Sequence, residues 1–175
     1  KKSNNFYQNL NLINKLENSE KDISENVMIA DLVRNDLSIT AKRNSVKVEE
    51  LCKVFTFNNI NQMISTVTSE ICQNLSFDKI ISSTFPMGSM TGAPKIKSMQ
   101  LIDKFEDFNR GIYSGTIGYI DSKNNFDFNV VIRTIIYDQK DHNLSFPVGS
   151  AITSESDPSI EYEECIEKLK SVFVF

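Results

Sequence analysis

Long apolar runs are missing from this chain. No stretch approaches the roughly 20 consecutive apolar residues that a membrane-spanning helix requires, so no membrane partner is expected. An excess of positive charge is missing too: 19 lysines and arginines against 23 aspartates and glutamates leave a net charge of −4. With a pI near 5.1, the chain has no basic stripe dense enough for a general nucleic-acid binder. Cysteine is scarce, with only Cys52, Cys72 and Cys165. That odd number without metal-ligand spacing reads as buried or incidental thiols in a reducing cytoplasm. The single histidine, His142, falls in the polar stretch 138–143 and reads as a solvated loop residue. The start, Lys1-Lys2-Ser3-Asn4-Asn5, is basic but lacks a following apolar segment, so it is not expected to be a secretory signal. What is present suffices for one domain. The 175 residues are 40% hydrophobic and 24% charged, long enough to bury a core. No internal repeat, low-complexity segment or long linker divides residues 1–175.

Glycine and proline are few, six and four, yet two of each lie within residues 85–97. This stretch reads Phe85-Pro86-Met87-Gly88-Ser89-Met90-Thr91-Gly92-Ala93-Pro94-Lys95-Ile96-Lys97. Apolar residues then recur at Ile96, Met99, Leu101, Ile102 and Phe105, near the spacing of an amphipathic helix. Pro94 suits the first turn of that helix. A small, polar turn rich in backbone amides at a helix start suits a carboxylate or phosphate. An ordinary Gly/Pro loop before a helix also accounts for the composition.

Upstream, residues 6–16 carry a helical stripe of Phe6, Leu10, Leu12, Ile13 and Leu16. Ser19 suits an N-cap with Asp22 as the acidic partner of a capping box, opening a helix that frays near Asn35-Asp36. Asp22 and Glu25 are spaced i, i+3 and share a face of that helix. A solvated acidic face and a partly buried cation-binding pair both fit this spacing. Residues 45–48 and 61–67 read as strands, 49–57 as either helix or strand, and 77–84 as a short helix.

Downstream, residues 111–121 read as a strand interrupted by Gly111, Gly115 and Gly118, a pattern that goes with close approach to the backbone. Residues 122–125 are turn-like. Residues 126–137 alternate as one strand, with Arg133 among apolar neighbours at its middle. An arginine there requires an anionic partner, either a ligand or an internal carboxylate. Residues 144–153 read as a third strand carrying Gly149-Ser150-Ala151. Asp157 caps a final helix with Pro158 at its first position, and Glu161 and Glu164 repeat the i, i+3 acidic pairing. Two acidic helix faces are what a hard cation such as Mg2+ requires, if they meet.

The ordered segments resemble the chorismate-utilising enzymes, the family of the anthranilate, aminodeoxychorismate, isochorismate and salicylate synthases. They are residues 25–36 (Glu25 through Arg34-Asn35-Asp36), residues 85–97, Arg110-Gly111-Ile112-Tyr113 with Gly115 and Gly118, Ile132-Arg133-Thr134, residues 149–153, and Ser156-Asp157-Pro158 leading to Glu161-Tyr162-Glu163-Glu164. The resemblance covers about residue 20 to the end. Within the family, residues 85–95 are most similar to aminodeoxychorismate synthase component I.

The resemblance implies an α+β fold of mainly antiparallel strands packed by outer helices. It implies that Glu25 and Glu164 ligate Mg2+, with Asp22 and Glu161 supporting through water. Tyr113, Arg133 and the amides of Gly149, Ser150 and Ala151 would bind a carboxylate of chorismate, and Ser89 would sit beside the ring. Gln62 stands where some relatives place a histidine; it can hydrogen-bond but cannot supply a proton near neutral pH. The implied reaction is amination of chorismate to 4-amino-4-deoxychorismate, with ammonia from a glutamine amidotransferase subunit. Anthranilate synthase component I and isochorismate synthase are the alternatives within the family. Related aminating enzymes often carry a Pro-Ile-Lys-Gly-Thr segment whose lysine attacks the ring, and these 175 residues contain none. The chain is therefore expected to be the C-terminal part of a catalytic domain, incomplete on its N-terminal side. A non-catalytic scaffold is the alternative of another class.

Overall fold

The computed structural model describes residues 2–154 and 156–170. The chain divides by its internal packing into two compact units, Lys1–Asp107 and Phe108–Phe175.

The first unit runs α1 (Phe6–Glu17), α2 (Glu20–Ser38), β1 (Lys47–Thr56), β2 (Asn61–Thr68), α3 (Phe77–Thr84), a 3-10 turn at Gly88–Met90 and α4 (Lys95–Phe105). Asn5 caps α1, its side chain accepting from the Gln8 amide at 3.1 Å. Ser19 caps α2 as its sequence position suggests, accepting from the Asp22 amide at 3.3 Å. Helix α2 does not fray at Asp36 but continues to Ser38, because Asp36 is buried and held by a tertiary contact described below. Strand β1 resolves the ambiguous residues 49–57. It pairs antiparallel with β2 from Lys47 opposite Thr68 to Thr56 opposite Asn61, with irregular register between Val48 and Lys53. Cys52 sits in that irregularity with φ of 52°, and its amide donates to Ser65 Oγ at 2.9 Å. A bulge of this kind breaks the two-residue period, which is why the segment's pattern fitted neither helix nor strand cleanly.

Helix α2 is the hub of this unit. It packs on β1 and β2, on α3 and on the 88–90 turn, while α1 packs on both strands. Ala30 on α2 and Met63 on β2 are its buried apolar residues. Polar bonds join the layers as well. The Ser65 hydroxyl donates to Asn26 Oδ1 on α2, and buried Asn61 donates to Asn9 Oδ1 on α1 at 2.9 Å.

The second unit contains β3 (Thr116–Ile120), β4 (Phe126–Val130), β5 (Ile136–Asp138), β6 (Asn143–Ser145) and α5 (Pro158–Lys170). β3 pairs with β4 and β5 with β6, both antiparallel, so every strand pairing in the described residues is antiparallel. The fold is α+β, as expected. Gly118 lies opposite Phe128, and a Cβ on it would fall 2.1 Å from the Asp127 carbonyl oxygen and 2.5 Å from the Phe128 ring. The close approach inferred for this glycine is thus made by its own partner strand.

Three strand expectations need correction. Residues 111–115 form a turn, with Gly111 and Ser114 at positive φ, and β3 begins only at Thr116. Residues 126–137 are two strands, not one. The ladder ends at Thr116 opposite Val130, and Arg133 takes φ of 50°, which interrupts any continuous strand. Alternation of residue types cannot register one residue in the left-handed region. Residues 144–153 are strand only through Ser145, since Pro147 has no N–H to carry a ladder onward. Helix α5 starts as expected, with Asp157 Oδ1 accepting from the Ser159 amide at 2.8 Å and the Ile160 amide at 3.1 Å. His142 lies exposed in the β5–β6 turn, its Nδ1 3.0 Å from the Tyr137 hydroxyl.

Candidate functional site

The candidate residues fall in both units, and each set has its own geometry. In the first unit, α2 carries Asp22 and Glu25. Asp22 is exposed, while the Glu25 side chain is 38% exposed with Lys21 Nζ at 4.0 Å. Ser89 is the exposed middle residue of the 3-10 turn. Buried Gly88 beside it rests on Leu32 of α2, where a Cβ would fall 2.9 Å from Leu32 Cδ1. The turn is shaped by the Met90 amide donating to Met87 at 3.0 Å and the Thr91 hydroxyl donating to the same carbonyl at 3.0 Å. Pro94 stands one residue before α4, as its N-cap, rather than inside the first turn. Gln62 is exposed on β2 opposite Phe55, its side chain reaching the Met63 carbonyl at 3.4 Å.

The second unit brings several predicted residues together. A Cβ on Gly149 would lie 2.9 Å from the Tyr113 hydroxyl, so Tyr113 and the Gly149 backbone are neighbours. Glu161 on α5 is buried at 6% exposure. Its Oε2 accepts from the Ser150 hydroxyl and its Oε1 from the Ser156 hydroxyl at 2.9 Å. Burying a carboxylate is costly unless donors meet it, and these two hydroxyls do so. Glu164, one turn along α5, pairs with Lys168 at 2.6 Å. Lys168 also donates to the Gly149 carbonyl at 2.9 Å and so ties α5 to the loop. Among the described residues no group accepts from the amides of Gly149, Ser150 or Ala151. Arg133 is exposed rather than set among apolar strand neighbours.

Several participants were not singled out from sequence. Lys168 is one, and its signal was available: it stands i+4 from Glu164, the favourable Glu-to-Lys order on a helix. Ser156 was quoted only as part of a motif, and nothing local foretold that it meets Glu161. The Asp36–Lys95 ion pair was likewise invisible, since its ends are 59 residues apart.

The donors suit a hard cation in kind. Asp22, Glu25, Glu161 and Glu164 offer carboxylate oxygen, the ligand type such a cation prefers. Glu25 and Glu164 each have a lysine four residues away on the same helix, an ordinary exposed pairing. Within each unit, among the described residues, no three such side chains form a ready cage, so each helix offers a pair.

Comparison with known proteins places the chain in a family. The chorismate binding enzyme family matches residues 1–174. The chain is 42% identical over 157 residues to aminodeoxychorismate synthase of Streptomyces griseus, covering 90% of this chain and 21% of that protein. It is 35% identical over 157 residues to anthranilate synthase component 1 of Aquifex aeolicus, covering 90% of this chain and 31% of that protein. The crystal structure of anthranilate synthase component I from Streptococcus pneumoniae superposes with a TM-score of 0.82 at 30% identity, over 95% of this chain and 38% of that one. The chain thus spans about a fifth to two fifths of the length of these relatives. With the motifs in order and the fold in common, this chain belongs to the chorismate binding enzyme family.

Proposed function

We propose that the full-length protein aminates chorismate at C4, giving 4-amino-4-deoxychorismate and water, with ammonia supplied by a glutamine amidotransferase subunit. The product would feed p-aminobenzoate and folate synthesis in the cytoplasm. The observation that carries this reading is the Tyr113–Gly149–Ser150–Glu161–Glu164 cluster, combined with greater identity to an aminodeoxychorismate synthase than to an anthranilate synthase. Chorismate is a dianion, so its site must offer cationic or amide donors for two carboxylates. Tyr113 and the backbone amides of residues 149–151 would receive one, with Arg133 contributing its guanidinium fork. Ser150 and Ser156 hold the Glu161 carboxylate in one orientation, which keeps α5 and its Glu164 in register with the loop. Glu25 and Glu164 would ligate Mg2+, with Asp22 and Glu161 supporting through water. The ion would supply Lewis-acid charge stabilisation at the ring carboxylate. Ser89, exposed on its turn, would stand beside the ring. Gln62 would offer a hydrogen bond without a proton.

The test is product analysis after incubating the full-length protein with chorismate, Mg2+ and an ammonium salt. The expected product is 4-amino-4-deoxychorismate, converted to p-aminobenzoate only when a lyase is added. Anthranilate fluorescence without added lyase would assign amination at C2 instead. Isochorismate formed without ammonia would assign hydroxyl transfer. The first alternative is supported by one specific observation, the 35% identity over 157 residues to an anthranilate synthase component 1.

A further inference from the structure

Helix α2 presents three residues in one line. Glu25, Leu32 and Asp36 are spaced i, i+7 and i+11, all within an arc of about 40° at 100° per residue. The last two engage the segment around Ser89. Leu32 seats Gly88 so closely that a Cβ would fall 2.9 Å from its Cδ1 and 3.0 Å from its own Cβ. Asp36, only 5% exposed, accepts through Oδ2 from Lys95 Nζ at 2.5 Å.

Neither charge is where local chemistry would put it. A carboxylate is rarely buried without a cation, and Lys95 opens α4, where a positive charge opposes the helix dipole. Among the described residues, each conflict is answered by the other residue of the pair. Leu32, one turn before Asp36 on α2, also seats Gly88, so α2 meets the segment at Gly88 and again at Lys95. The Met90 and Thr91 bonds to the Met87 and Gly88 carbonyls shape the turn locally. Beyond them, Gly92 takes φ of 139°, a conformation with little steric preference to hold the chain. A local rule broken and repaired by a tertiary contact points to a demand other than stability.

We propose that the Asp36–Lys95 ion pair is a positioning clasp that sets the Ser89 turn against α2, at a fixed height above Glu25. Glu25 and Asp36 are about 16 Å apart along the axis, at 1.5 Å per residue. The pair thus anchors one end of the stripe whose other end carries the proposed metal ligand. Asp36 and Lys95 are positioning residues in this reading, which rests on Ser89 and Glu25 serving one active site.

The experiment uses the full-length protein and the double variant Asp36→Leu/Lys95→Met, which replaces a buried pair by apolar groups and so tends to keep stability. Hydrogen exchange by mass spectrometry reads peptides covering residues 86–94, without substrate. Steady-state kinetics with chorismate and ammonia are read in parallel. Expected are an unchanged melting temperature and about tenfold faster exchange in those peptides. The kcat should fall about 10–100-fold, since small misplacements of a reacting group are that costly. KM for chorismate should stay within about threefold. Should the double variant not fold, Asp36→Glu keeps the pair while lengthening it by one methylene, and the same fall in kcat is expected with a modest loss of stability from the added bulk. Unchanged exchange together with wild-type kcat in either variant overturns the clasp. Absence of product from the wild-type protein would instead sink the amination reading, while the exchange result still decides the clasp.

Discussion

The Tyr113 hydroxyl occupies the space beside Gly149 that any larger residue would need, 2.9 Å from an ideal Cβ. Gly149→Ala is expected to destabilise the protein by about 1–3 kcal/mol, the usual cost of overpacking. In a Tyr113→Phe background the clashing atom is gone, and the same substitution should cost much less. A double-mutant cycle read by denaturant unfolding measures the coupling. Equal costs in the two backgrounds would show that these groups do not meet.

Glu161 makes a second stability prediction. Glu161→Ala leaves the Ser150 and Ser156 hydroxyls without their acceptor and should cost about 2–4 kcal/mol at neutral pH. Glu161→Gln keeps the shape and one acceptor oxygen, so its loss should be about half as large or less. Thermal unfolding of the two variants distinguishes them.

Activity should separate Glu164 from Arg133. Glu164→Gln removes a charged oxygen ligand and is expected to lower kcat/KM by about 2–3 kcal/mol at limiting Mg2+, with partial recovery when Mg2+ is raised. Arg133→Lys keeps the charge but loses the two-pronged fork, so its deficit should not respond to Mg2+. Initial rates over a Mg2+ series in the full-length protein decide the point. Near-normal rates in either variant would remove that residue from its proposed role.

The β3–β4 turn offers a pH prediction. Asp121 accepts from the Asn125 side chain and from the Asn125 and Lys123 amides. These bonds, the Asn125 side chain first, hold its carboxyl below its ordinary value near 3.8. A carboxyl lowered in the folded state adds stability that is complete above its unfolded pKa and lost as pH falls through its folded value. Asp121→Asn should therefore match wild type in acid and be the less stable protein at neutral pH. Urea midpoints at the two pH values check the sign.

Legibility from sequence varied with the range of the physics involved. The helices of residues 6–17, 20–38, 77–84 and 158–170 were readable because caps and apolar stripes act over one or two turns. Ser19, Asp157 and Pro158 acted as their side-chain chemistry requires whatever surrounded them. Residues 126–137 were misread as one strand because residue alternation carries no sign of a left-handed residue at Arg133. Residues 49–57 were ambiguous because the Cys52 bulge is stabilised from outside, by Ser65 on the partner strand.

The candidate site divides along the same line. Glu161 and Glu164 share a helix face because a turn takes 3.6 residues, and that follows from their spacing alone. That Glu161 is buried between Ser150 and Ser156, that Lys168 reaches Gly149, and that Asp36 finds Lys95 are outcomes of folding. Local chain geometry sets which residues stand in line on one element. Only packing between elements decides which of them lose water and therefore need a partner, because desolvation depends on what the rest of the chain places over them.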